Sequence, residues 1–232
     1  MNADTRVAVC CYAGDQYRMI TALGQILHHQ CPVVALSPTD SPAVIRYPGV
    51  ENRQNGKVGY VGQVSLDRMR DHLRCLLEFP EKFFLVHDAD SLCLSPGLPR
   101  YLYQEGKLWS NLLVNPYEEQ WKYYPPGFPK VAFQSPYWMS RGVIERLLDV
   151  ADTVKINPGL PFIDHYMVQL AVAAGCPFDG FTGGFTGLTE DAGGVANVVE
   201  AVSRGAMFVH AIKRKEVLDA VVAARQEFLR RG

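Results

Sequence analysis

The stretch Phe83-Phe84-Leu85-Val86-His87-Asp88-Ala89-Asp90 joins a strongly apolar run to two carboxylates. The apolar part predicts a buried β-strand. Because alternate side chains of a strand share a face, Asp88 and Asp90 are expected to point the same way. Two like charges at a strand tip are costly unless a cation or hydrogen-bond donors lie between them. The pair therefore predicts a site for a hard divalent ion such as Mg²⁺ or Mn²⁺, which could hold a nucleotide diphosphate.

Predicted strands and helices alternate up to this stretch. Their order is β-α-β-α-β, which predicts an α/β fold with a parallel sheet covered by helices. Ligands of such sheets usually bind at the strand ends. Residues 38–64 have no clear period and predict a loop region with one short strand at most. The elements are strands at 7–12, 32–36 and 83–90 and helices at 17–27 and 66–77.

The second half of the chain is less regular. It predicts strands at 108–114, 131–139 and 207–212, and helices at 143–150, 162–174 and 217–228. Residues 180–194 are rich in glycine and are interpreted either as a lid over a ligand or as a long turn. No internal repeat or linker interrupts residues 1–232, so a single domain is expected.

Composition excludes some classes of protein. Of the 232 residues, 48% are hydrophobic and 20% are charged, as in ordinary globular proteins. A net charge of −1 argues against a protein that binds nucleic acid by neutralising phosphates. Six scattered cysteines without CxxC spacing favour reduced core thiols over disulfides or a zinc site. No apolar run is long enough to span a membrane and no signal peptide is evident, so a cytoplasmic protein is expected.

Four places in the chain together carry a resemblance to a known family. They are the β-turn-α opening at 7–27, His87-Asp88-Ala89-Asp90, the acidic helix start Phe162-Ile163-Asp164-His165-Tyr166-Met167, and Val209-His210-Ala211-Ile212-Lys213. In this order and spacing they resemble the nucleotide-sugar-dependent glycosyltransferases of the GT-A fold, with residues 87–90 in the place of the DXD motif. The resemblance implies a GT-A-like (Rossmann-like) mixed, mostly parallel sheet flanked by helices. It also implies a nucleotide-binding half at 1–115 and an acceptor-binding half at 116–232.

The resemblance further implies roles for individual residues. Asp90 would be a direct metal ligand, Asp88 would reach the metal or the ribose, and His210 would supply a third ligand to Mn²⁺ or Mg²⁺. Lys213 would contact the diphosphate, and Tyr12, Ala13 and Asp15 would hold the base and ribose. Asp164 would lie near the acceptor, and the donor would be a nucleotide-diphosphate sugar, most often of uridine. The acceptor could be a carbohydrate, a protein or a lipid-linked molecule.

The chemistry of glycosyl transfer is consistent with these roles. Negative charge develops on the leaving diphosphate, and a divalent ion with a lysine stabilises it. An inverting enzyme needs a carboxylate base for the acceptor hydroxyl, and Asp164 is the candidate. In a retaining enzyme the leaving phosphate would take the proton and Asp164 would orient the sugar. The sequences around Asp164 and His210 favour retention weakly. Arg68, on the predicted polar face of the helix at 66–77, could reach a phosphate; so could Arg70, and the alternative is a surface position.

Each of these residues also has a structural interpretation. Asp88 and Asp90 could cap a turn before Ser91, and His210 could simply end a strand. Asp164 could be an acid favoured by the helix dipole. Two other functions stay open: a phosphatase similar to the haloacid dehalogenases, in which the first Asp of DxD is a nucleophile, and a non-catalytic nucleotide-sugar-binding domain. In that phosphatase family the motif follows the first strand and precedes Gly-Thr, whereas here it falls on about the third strand before Ser91-Leu92.

Overall fold

The computed structural model describes residues 4–11, 31–57, 62–93, 100–114, 128–155, 163–181, 194–206, 208–209, 212 and 214–231. These residues form an α/β fold in which five helices flank a mixed, mostly parallel sheet. The strands are β1 (Thr5–Cys10), β2 (Val33–Ser37), β3 (Val50–Gln54), β4 (Phe83–Asp88), β5 (Leu92–Cys93), β6 (Leu108–Val114), β7 (Val131–Ser140), β8 (Phe178–Gly180) and β9 (Phe208–Val209). The helices are α1 (Gly62–Leu77), α2 (Arg141–Ala151), α3 (Ile163–Ala173), α4 (Gly194–Ser203) and α5 (Lys215–Arg231), with a 3-10 turn at Arg100–Leu102.

The main sheet has seven strands in the order β3-β2-β1-β4-β7-β6-β8. Strands β3, β2, β1 and β4 are parallel to one another, as the β-α-β-α-β pattern predicts. Strand β7 is antiparallel to both of its neighbours, β4 and β6, and β8 pairs parallel to β6. Strands β5 and β9 form a separate antiparallel pair. The α/β class predicted from the sequence is therefore confirmed.

Both faces of the central strands are buried, which explains their nearly continuous apolar sequences. On one face, Val86 and Phe84 of β4 pack with α1, α2 and α3 through residues such as Leu73, Leu147 and Leu170. On the other face, Phe83 stacks on Trp138 with 5.7 Å between ring centroids. Helices α4 and α5 pack on each other around a smaller cluster that includes Val198, Val202, Val217 and Val221.

The predicted elements that fall on described residues are present with small shifts of their ends. The short strand allowed for within 38–64 is β3, whose sequence Val-Glu-Asn-Arg-Gln is too polar to signal a buried strand. Strands β5 and β8 and helix α4 were not predicted, and the predicted helix at 17–27 lies outside the described residues. Five of the six cysteines, at 10, 11, 31, 75 and 176, are buried, and none of these five forms a disulfide. None of the described helices has both the length and the apolar content needed to cross a membrane.

Candidate functional site

The candidate site lies where the chain changes direction along the sheet. From β1 the chain adds β2 and β3 on one side, and β4 then returns to the other side of β1. Cys10, the last residue of β1, is the register partner of Asp88, the last residue of β4. A crevice outside the carboxyl ends of two such strands is the usual ligand position in open α/β sheets. Asp88 therefore stands at the switch point of the sheet.

Beyond Asp88 the chain leaves the strand and turns. The N–H of Ser91 donates to the carbonyl of Asp88 at 3.0 Å, and the N–H of Ala89 donates to the carbonyl of Cys10 at 2.9 Å. Asp90 is thus a turn residue, so the alternation of strand side chains does not determine where it points. Asp88 and Asp90 are both partly buried.

Two buried serines support this turn, Ser135 from the antiparallel strand β7 and Ser91 from the turn itself. The backbone N–H of Asp88 donates to Oγ of Ser135 on β7 at 2.9 Å. Ser91 Oγ lies 3.4 Å from the same oxygen, and both serines are at most 2% exposed. Because the ladder between β4 and β7 ends at the pair Val86–Tyr137, the Ser135 hydroxyl takes the place of a backbone acceptor for Asp88. Hydrogen bonds to two strands, β1 and β7, therefore fix the backbone at Asp88 and Ala89.

The late segment predicted to carry a metal ligand runs beside the same turn. Val209 of β9 pairs with Leu92, and the N–H of Ile212 donates to the carbonyl of Asp90 at 2.8 Å. His210 itself lies outside the described residues. Its described neighbours on both sides are thus hydrogen-bonded or paired to the segment that follows Asp88.

Asp164 comes to this place from the first turn of α3. Its Oδ1 accepts a hydrogen bond from the Tyr137 hydroxyl at 3.3 Å. Burial and the nearby charge of Asp88 raise the pKa of Asp164 to about 7, although the Tyr137 hydrogen bond lowers it. Burial, followed by the charges of Asp164 and Asp88, raises the pKa of Tyr137 well above its ordinary value. Asp164 can therefore hold or release a proton near neutral pH.

Beneath Asp88, a polar cluster is buried between β1 and α1. Cys10 Sγ lies 3.4 Å from Nδ1 of His72, and Arg68 is 8% exposed on the preceding turn of α1. Burial raises the pKa of Cys10 to about 12 and, together with the charge of Arg68, lowers the pKa of His72 to about 3. Both groups are neutral at pH 7, and Arg68 supplies a buried positive charge close to the switch point.

Arg68 and Arg70 differ in their surroundings. Arg68 faces the buried cluster, in contrast to the surface position considered from the sequence. Arg70 instead bonds the carbonyl of Ala151 at the end of α2, and it lies 3.5 Å from Asp152. Since its contacts join α1 to α2, Arg70 has a structural role.

Several predicted site residues cannot be placed against this geometry. Tyr12, Ala13, Asp15, His210 and Lys213 lie outside the described residues. Within the described ranges, no three His, Cys, Asp or Glu side chains are grouped closely enough to hold a metal ion. The described part of the candidate site thus consists of Asp88, Asp90 and Asp164 with the residues that surround them.

Ser135, Tyr137, Cys10 and His72 also belong to the site, and none of them was predicted from the sequence. Ser135 and Tyr137 reach Asp88 and Asp164 only because β7 runs antiparallel to β4. His72 follows Arg68 by four residues on α1, which places both on one helix face. That spacing was the one available signal, since a polar pair at i and i+4 within a buried helix face is unusual.

The chain matches no protein-family model, and no curated protein matches it as a relative.

Proposed function

We propose that this protein is a metal-dependent glycosyltransferase that uses a nucleotide-diphosphate sugar, most simply a uridine diphosphate sugar, as its donor. The observation that carries the proposal is that Asp164 lies near enough to Asp88, at the switch point between β1 and β4, for the charge of Asp88 to raise its pKa. A carboxylate at the end of a central strand and a second from a helix start define a place where a charged ligand can bind and a proton can move. The GT-A-like fold is part of the same proposal.

The donor set fits a hard divalent ion. Asp88 and Asp90 offer carboxylate oxygens, which Mn²⁺ and Mg²⁺ prefer, and His210 would complete the set as an imidazole ligand. The hydrogen bond between Ile212 and Asp90 supports a place for His210 in this set. Such an ion would neutralise the charge that develops on a leaving diphosphate.

Other residues of the chain would bind the diphosphate, orient Asp88 and hold the nucleoside. Arg68 provides a fixed positive charge near the carboxyl ends of β1 and β4, where the diphosphate would lie, and Lys213 would add a second. Ser135 holds the backbone of Asp88 and so orients its carboxylate. Tyr12, Ala13 and Asp15 follow β1 directly and would hold the base and ribose.

Asp164 would act on the acceptor side. A carboxylate with a pKa of about 7 accepts a proton from a hydroxyl near neutral pH more readily than an ordinary aspartate does. This suits a base in an inverting reaction. In a retaining reaction, toward which the sequence around Asp164 and His210 leans weakly, the protonated acid would donate a hydrogen bond that orients the sugar.

The test is a thermal-shift panel of uridine, guanosine, adenosine and cytidine diphosphates, each with and without Mn²⁺. Binding to the native state raises the melting temperature, by an amount that grows with ligand concentration over Kd. We expect one diphosphate to raise it only when Mn²⁺ is present, and slow hydrolysis of the matching sugar nucleotide. Release of phosphate from an aryl phosphate would support the phosphatase instead. Metal-dependent nucleotide binding without hydrolysis or transfer would support a binding domain, and no shift with any diphosphate would contradict the proposal.

A further inference from the structure

Strand β3 forms one edge of the seven-stranded sheet. Its sequence is Val50-Glu51-Asn52-Arg53-Gln54, and β2 pairs with it on one side. On the other side, no strand among the described residues pairs with it. Asn52, Arg53 and Gln54 are exposed. An exposed edge presents backbone donors and acceptors that another strand can use.

Two hydrogen bonds establish which backbone groups face outward. The N–H of Asn55 donates to Ser37 on β2 at 2.9 Å, so the alternate N–H groups of Arg53 and Glu51 also face β2. The N–H of Val50 donates instead to the carbonyl of Tyr47 at 3.2 Å. By the same alternation, the N–H and C=O of Asn52 and Gln54 face away from the sheet, where no described residue bonds them. With respect to the described part of the chain, the outer edge therefore has open positions at 52 and 54.

The side chain of Asn52 does not compete for these positions. Its amide makes two hydrogen bonds to the backbone of Ile45, at 2.8 and 3.0 Å, which hold it against the face of the sheet. On the opposite face of the strand, Glu51 and Arg53 form an ion pair of 2.7 Å and are 41% and 45% exposed. The strand thus carries a negative charge before Asn52, at Glu51, and a positive charge after it, at Arg53.

We propose that β3 pairs antiparallel with β3 of a second copy of this chain, around a two-fold axis at Asn52. In this register the two Asn52 residues exchange a pair of backbone hydrogen bonds, and each Gln54 N–H donates to Val50 of the other copy. Each Glu51 then lies directly opposite Arg53 of the other copy, at the closely spaced position of the ladder. The two sheets become one continuous sheet, and the contact is isologous.

The order of the charges selects this arrangement over others. Parallel pairing in register would bring Glu51 beside Glu51 and Arg53 beside Arg53, which is unfavourable. Charges on a short edge also oppose indiscriminate pairing with other chains. Between β3 and α1 lies a cavity of about 410 Å³ that could receive side chains of the second copy. Both signs of charge line it, which suits self-association: Arg53, Asp71, Arg74 and Glu78.

Sedimentation velocity over a concentration series tests the proposal on the full chain. We expect the wild type to approach twice the mass of one 25.9 kDa chain as its concentration rises. Arg53→Glu places like charges opposite each other twice, so we expect the dimer to weaken at least about tenfold. Gln54→Pro removes an outward N–H without affecting the bonds to β2, and we expect a similar loss.

The reciprocal variant Glu51→Arg with Arg53→Glu supplies the decisive control. It restores opposite charges across the axis, so its dimer should recover most of the wild-type affinity. Arg204→Glu changes a charge just after the end of α4, on a side chain that is 77% exposed and paired with Glu200, and should leave the dimer unchanged. Circular dichroism checks that each variant is folded. A wild type that stays monomeric at every concentration, or a dimer that survives both Arg53→Glu and Gln54→Pro, would overturn the proposal.

Discussion

The hydroxyl of Tyr137, on strand β7, donates a hydrogen bond of 3.3 Å to the carboxylate of Asp164, on helix α3. Asp164 also experiences the negative charge of Asp88, which raises its pKa. The hydrogen bond favours the ionised form of Asp164, whereas burial and Asp88 favour the protonated form. The balance between these effects sets the protonation of Asp164 near pH 7.

Tyr137→Phe should change that balance in one direction. The substitution removes the donor that favours the carboxylate, so the pKa of Asp164 is expected to rise above about 7. A titration of the carboxyl carbon by NMR measures it directly. Tyr166→Phe is the matched control, because the Tyr166 hydroxyl bonds the carbonyl of Ala151 and not Asp164. A pKa that falls in Tyr137→Phe would contradict the interpretation.

Asp164→Asn should make the protein less sensitive to alkaline pH. An ordinary aspartate loses its proton near pH 4, whereas Asp164 in the folded protein keeps it up to about 7. At this group the folded state then binds more protons than the unfolded state between these values, so Asp164 contributes a loss of stability as pH rises through that window. We expect a loss of about 2 to 4 kcal/mol. Urea unfolding at pH 4 and pH 8 measures it as a difference: compared with Asp164→Asn, the wild type should lose this amount between pH 4 and pH 8, because the opposite contributions of His72 and His165 are common to both proteins.

His72→Leu should have the opposite pH signature. In the unfolded chain His72 takes a proton below about pH 6.5, whereas burial and Arg68 keep it neutral in the folded protein down to about pH 3. His72 therefore contributes a loss of stability as pH falls through that window, and the variant lacks this contribution while it keeps the opposite one of Asp164. Unfolding by urea at pH 7 and pH 4.5 measures the difference. His165, whose pKa burial lowers to about 4, leaves a residual slope in the variant. An unchanged slope would mean that His72 is protonated in the fold.

Asp90→Ala and Asp164→Asn should separate binding from turnover. Asp90→Ala is expected to abolish the Mn²⁺-dependent thermal shift with the nucleoside diphosphate, because a carboxylate ligand is lost while the fold is kept. Asp164→Asn should keep that shift and lower the rate of transfer or donor hydrolysis by a factor of about 100 or more. If Asp164→Asn weakens donor binding as strongly as Asp90→Ala does, its assignment to the acceptor side is wrong.

Arg68→Met and Arg70→Met form a matched pair on one helix. Arg68→Met removes the buried charge near the switch point, so we expect diphosphate affinity to fall about tenfold and the pKa of His72 to rise. Arg70→Met should cost about 1 to 2 kcal/mol of stability and leave diphosphate binding unchanged, because Arg70 bonds α2. Calorimetric titration and urea unfolding give the two quantities. Equal binding by both variants would remove Arg68 from the site.

The parts of the fold that depend on local sequence could be predicted. The apolar runs at β1, β2 and β4 and the helical period of α1 are strong local signals, and they led to a parallel sheet with Asp88 at a strand end. The polar edge strand β3 has no apolar run, because none of its residues is fully buried. The expectation that Asp90 would share a face with Asp88 depended on the strand continuing past Asp88, and it ends there.

The contacts around the site depend on pairing between distant segments. Ser135 bonds Asp88 across 47 positions of sequence, and Tyr137 bonds Asp164 across 27. Their partners follow from the register of β4 with β7, which no local pattern determines. Asp164 was selected as an acid at a helix start, but its raised pKa comes from burial and from the charge of Asp88 on β4.

The irregular register between β6 and β7 has a consequence for how this protein can change over evolutionary time. The pairing shifts between Ser110 and Asn111, so that Ser110 faces Tyr137 while Asn111 faces Gln134. The half of β7 that pairs with β4 is thereby separated from the half that continues into the connection from β6. Insertions or deletions between Val114 and Val131 fall in the connection between the two strands, outside the residues of β7 that pair with β4. The connection between β6 and β7 can therefore change over evolution, and with it the molecules that it contacts, while Asp88 and Asp164 keep their neighbours.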